Sequence, residues 1–165
     1  MIKFLNKKNG FTLIELLVVI SIIGILAGLT LTSYSGAQKQ ARDTKRKSDL
    51  VNMRTALEAY YVSYNAYPIT TGWWGECSSF GSHPRSGANG YIPNLAPIFM
   101  EELPTDPRVQ TSSTSCYLYY SNGADYKLLA HGTPESGYPT TSPFYDPVRP
   151  TWAWQVHSSD VSKGW

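Results

Sequence analysis

Hydropathy changes character twice along the chain. Residues 1–10 are short and basic, with Lys3, Lys7 and Lys8. Residues 11–31 are then apolar at nearly every position and carry one carboxylate, Glu15. As a helix, a run of about 21 residues reaches roughly 30 Å, the thickness of a hydrocarbon core. It is longer than the about 7–15 apolar residues of a secretory signal, and no clear small-residue cleavage site follows it. No proline occurs before Pro68. The pattern therefore predicts one continuous helix from Phe11 to about Tyr64, apolar all round in its first half. In its second half Leu50, Met53, Leu57, Tyr60, Tyr61 and Tyr64 recur at three- and four-residue steps as one stripe, with Lys45, Asp49, Asn52 and Glu58 opposite. The stripe is too short for several coiled-coil heptads, so it is expected to cover a sheet.

Tyr67-Pro68 ends the helical pattern, because the residue before a proline is pushed out of the α region. Residues 69–90, rich in Gly, Ser, Thr and Pro, read as a long loop. Residues 95–103, between Pro93 and Pro104, predict a short helix that Pro97 restricts to a late start. CYLYYS (116–121) and YKLLAH (126–131) predict two strands joined by a turn at Asn122-Gly123-Ala124-Asp125. The five prolines of residues 133–150 predict a coiled crossing, and TWAWQVH (151–157) a last strand. The expected fold class is α+β: a long N-terminal helix, transmembrane in its first half, packed by its amphipathic second half on a small antiparallel sheet. The divisions are 1–10, a leader; 11–32, a membrane helix; 33–66, the amphipathic half-helix; and 67–165, a globular domain.

A chain of 165 residues has room for that helix and one modest core. The formal net charge is +2, but removing Lys3, Lys7 and Lys8 leaves 11 of the 14 basic side chains against 12 acidic ones, a net −1. The basic balance thus belongs partly to the leader and is no argument for nucleic acid. The cluster Lys45-Arg46-Lys47 reads first as a solvated helix face. The counted positive charges on either side of the apolar run would, by the positive-inside rule, leave the C-terminal domain in the cytoplasm. The two cysteines, Cys77 and Cys116, agree instead with export, and in an exported domain such a pair predicts one disulfide. No zinc, serine-hydrolase, metalloprotease or phosphate-loop spacing occurs, and His83, His131 and His157 show no metal pattern, so no enzyme is expected. Glu15 stands out: an ionisable group inside a membrane-length apolar segment is costly and marks a functional position.

Gly10-Phe11-Thr12-Leu13-Ile14-Glu15 resembles the processing motif of type IV pilins and type II secretion pseudopilins. The likeness continues through residues 41–68, and in the string ELPTDP (102–107) it is similar to major-pseudopilin domains. One departure is the absence of the proline that many pilins carry late in the apolar segment; here Gly24 and Gly28 stand in GLTLTSY and its approach. The resemblance implies cleavage after Gly10 by a prepilin peptidase and N-methylation of Phe11. It implies that Glu15 pairs with the N-terminal amine of a neighbouring subunit and sets register in a helical filament. It implies as partners other pilins or pseudopilins, an inner-membrane assembly platform and, before assembly, the lipid bilayer. It places the domain outside the cytoplasmic membrane, against the charge count, and then in a periplasmic or cell-surface filament. No cofactor and no nucleic acid are expected. Some major pseudopilins bind calcium in a C-terminal loop; Asp146 and Asp160 lie in that part of the chain, without regular oxygen-ligand spacing. A pseudopilin is the leading reading. A pilus subunit for adhesion, motility or DNA uptake shares the N-terminal argument, and a membrane-anchored binding domain that never polymerises is the alternative of another class.

Overall fold

The computed structural model describes residues 10–108 and 113–165, with side chains 29–33 also left undescribed. The leader residues 1–9, including Lys3, Lys7 and Lys8, lie outside the described residues. The chain divides into two compact units, Met1–Gln38 and Lys39–Trp165.

One helix, α1, runs Leu13–Tyr64. No proline interrupts it, and its glycines Gly24 and Gly28 have no non-neighbouring atom within 4 Å of where a side chain would begin. Its apolar residues from Leu13 to Leu26 are exposed. Among the described residues no helix is long and apolar enough to cross a membrane.

Within the second unit, α1 buries Leu50, Met53, Ala56 and Leu57 against an antiparallel sheet. The helix stripe is narrower than its sequence suggested. Tyr60 is half-buried, but Tyr61 and Tyr64 are exposed, and their rings pack on Tyr67 and on Tyr60 and Phe99.

The sheet has four strands in the order β1-β2-β3-β4: β1, Trp74–Gly75; β2, Cys116–Ser121; β3, Tyr126–His131; β4, Ala153–His157. Register pairs Leu118 with Leu129 across β2 and β3, and Leu129 with Gln155 across β3 and β4. Alternation sends Tyr117, Tyr119, Tyr126, Leu128, Ala130, Trp154 and Val156 to the helix side. Cys116, Leu118 and Leu129 face the other way, where Cys77, Trp73 and Phe80 cover them. Both faces are therefore buried, and the strands read as near-continuous apolar runs.

Three expectations are corrected. The stretch 69–90 is not all loop: it contributes β1, which pairs with β2, and a single 3-10 turn at Ser78–Phe80. The sheet thus has four strands, not three. Residues 95–103 form turns rather than a helix; Pro97 has no amide to donate, and Asn94 just before adopts a left-handed φ of 58°. A short helix, α2, Asp160–Lys163, follows β4, opened by Ser159, whose hydroxyl accepts from the Ser162 amide.

Candidate assembly site

Thr12 and Glu15 build the start of α1. The Glu15 carboxylate oxygen Oε2 accepts from both the Thr12 amide and the Thr12 hydroxyl at 2.8 Å, while the Glu15 amide donates to Thr12 Oγ1 at 3.3 Å. This is a capping box: a helix start leaves amides without partners, and Thr-x-x-Glu satisfies two of them reciprocally. Phe11, Ile14, Val18 and Val19 line, together with Glu15, a shallow apolar groove. Glu15 is thus held at one end, on an exposed apolar surface, with its direction fixed by its own helix. Gly10 and Phe11 precede the helix and are exposed, and nothing lies within 4 Å of a side chain built on Gly10. Thr12 was not singled out from the sequence, although the Thr-x-x-Glu spacing was there to read.

The globular unit is held by charged groups that the sequence placed in solvent. Arg46, in the supposedly solvated basic cluster, is fully buried. Its guanidinium reaches Asp106 at 2.8 Å, Asp43 at 2.7 Å and Glu135 at 3.1 Å. Lys47 sits 4.7 Å over the Trp154 ring, so its stem also covers apolar surface. Glu135 further pairs with Arg42 at 2.7 Å, and these guanidinium hydrogen bonds hold its carboxyl down to about 2, well below the usual carboxylate range. Asp106 and Leu103 belong to the ELPTDP segment; Leu103 enters the core and Asp106 closes on α1. Nearby, Glu76 accepts from Thr105 Oγ1 and the Asp106 amide.

The polar face of α1 is likewise put to use. Asp49 accepts from the Tyr117 hydroxyl at 2.7 Å, and Glu58 accepts from Tyr67 and Tyr126. Burial pushes the Tyr117 and Tyr126 hydroxyls well above the usual phenol range, so they remain donors.

Cys77 and Cys116 are joined by a disulfide that links the 3-10 turn region to β2. Asp146 is fully buried and bound by Lys127 and Arg149, whereas Asp160 is exposed in the first turn of α2. Among the described residues no group of three His, Cys, Asp or Glu side chains gathers in a metal-binding arrangement.

Comparison with known proteins agrees in kind. The profile described as "Prokaryotic N-terminal methylation motif" matches residues 5–31. The chain is 35% identical over 106 residues to type II secretion system core protein G of Escherichia coli, covering 62% of this chain and 68% of that protein. It is 32% identical over 132 residues to the core protein G of Klebsiella pneumoniae, covering 78% and 79%. With that of Klebsiella michiganensis it shares 41% identity over 127 residues, 77% of each. No solved structure matches.

Proposed function

This chain belongs to the type II secretion system core protein G family, and from that premise we propose that it is a structural pseudopilin whose work is assembly rather than catalysis. It enters the cytoplasmic membrane through residues 11–32, with the globular domain outside. A prepilin peptidase cleaves after Gly10 and methylates the amine of Phe11. The apolar segments of many copies then leave the bilayer and pack together in a periplasmic filament, alongside other pseudopilins and on an inner-membrane platform. The observation that carries this reading is the exposed apolar surface from Leu13 to Leu26 around a single carboxylate, Glu15. Such a surface is far larger than a soluble monomer leaves open and calls for lipid or like helices. An N-terminal amine and Glu15 are each costly there and far less so as a pair, so the carboxylate fixes the register between neighbours.

Intact-mass and N-terminal analysis of the protein from its host tests the processing step. A chain beginning at methylated Phe11 is expected; a chain beginning at unmodified Met1 overturns it.

A further inference from the structure

The calcium that the family resemblance raises has no fit to the donors around Asp146. Three oxygens converge there on the ammonium of Lys127: Asp146 Oδ1 at 3.1 Å, the Lys163 main-chain oxygen at 3.0 Å and the Trp165 main-chain oxygen at 2.6 Å. An ammonium has three protons to donate, and all three are used. Arg149 Nη1 adds a second cation, 3.3 Å from Asp146 Oδ2 and 2.7 Å from the same Trp165 oxygen. Asp146 Oδ1 also accepts from the Val148 amide at 2.9 Å. One carboxylate and two main-chain oxygens are thus engaged by two internal cations. A calcium ion needs six to eight oxygens at about 2.3–2.6 Å and would add positive charge beside two positive groups. Asp160 brings no help, being exposed on α2.

We infer that Lys127 and Arg149 supply from within the chain the positive charge that orders its C-terminal loop, so that the loop around Asp146 holds its fold without calcium. The placement explains a lysine at the second position of β3 that is fully buried on the face away from α1. Its ammonium ties β3 to residues 146–149 of the crossing and to the segment that follows β4. Arg149 in turn lies 5.0 Å over the Trp73 ring and 5.8 Å over the Trp152 ring, which extends the same charge to the outer aromatic layer.

The test melts the full chain in detergent, once with millimolar calcium chloride and once with EGTA at matched ionic strength, and titrates calcium by calorimetry. The unmodified chain is expected to melt at one temperature in both and to give no stoichiometric calcium heat. Lys127→Met is expected to melt on the order of 5–10 °C lower. Adding Asp146→Asn to Lys127→Met is expected to recover part of that loss, because the stranded carboxylate is then neutral. Arg149→Gln, at the rim of the cluster, is expected to lower the melting temperature by less. A fall of several degrees for the unmodified chain in EGTA, stoichiometric calcium binding, or a Lys127→Met protein that melts with the unmodified one each overturns the inference. If Lys127→Met does not fold, the calcium measurements on the unmodified chain and the Arg149→Gln melt decide it.

Discussion

Arg46 is a fully buried cation that ties α1 to two distant segments of the globular unit. Its side chain is fully buried between Asp43 and Asp106, with Glu135 third. Replacing it by Met strands two buried carboxylates, and removing one partner of a buried ion pair costs about 3–5 kcal/mol. Denaturant unfolding of Arg46→Met should show that loss, and a cost below about 1 kcal/mol would contradict the geometry. Glu135 gives the cluster a pH dependence. Its folded value near 2 lies below the ordinary 4.5. The stability it contributes is therefore fully present above pH 4.5 and declines as pH falls from there toward 2. Melting temperatures should decline through that acid window, and Glu135→Gln should flatten the decline. None of this was legible in Lys45-Arg46-Lys47. A charge run on a helix reads as a wet face; Asp43 is one turn away, but the other two partners of Arg46 lie 60 and 89 residues away along the chain. Glu15 was legible, since it is the one charge in its neighbourhood; its bond to Thr12 needed only the three-residue spacing.

At the scale of elements, α1 lies on the sheet through a small apolar contact of Leu50, Met53, Ala56 and Leu57, with tyrosine hydroxyls pinned to Asp49 and Glu58 beside it. Leu57→Ala should cost about 2–5 kcal/mol in equilibrium unfolding, because a fully buried leucine leaves a cavity in that contact. The disulfide between Cys77 and Cys116 ties the region of β1 to β2 across 39 positions. Converting both cysteines to alanine should lower stability by about 2–4 kcal/mol, and a free-thiol titration of the unmodified protein should find none. The strands β2 and β3 matched their sequence patterns end to end, since aromatic and apolar runs flank a turn rich in Asn, Gly and Asp. β1 was not legible: two residues carry no period, and Trp74-Gly75 is a strand only because β2 is there to pair with it. Gly75 shows how close that pairing is, since an added side-chain carbon would stand 2.5 Å from Leu118 Cδ2 and 2.9 Å from the Tyr117 oxygen. Residues 95–103 were misread as a short helix between Pro93 and Pro104; they form turns, and Pro97 within them lacks a backbone donor.

For the whole molecule, function follows from the contrast between its two units. Lys39–Trp165 carries its own core, disulfide and ion-pair cluster, so it has little need of a partner to stay folded. The other unit presents exposed apolar side chains with no core of its own among the described residues. Sequence was sufficient for that division of labour, because a sustained apolar run followed by an amphipathic one is a property of pattern and not of distant contacts. The central claim is that the exposed segment polymerises and that Glu15 sets its register. Its most direct test is electron microscopy and pelleting of filaments from cells producing either the unmodified chain or Glu15→Ala, with cleavage of both checked by mass. Filaments from the unmodified chain, and processed but unassembled Glu15→Ala protein, are the predicted result; Glu15→Ala filaments as abundant and regular as the unmodified ones would contradict it.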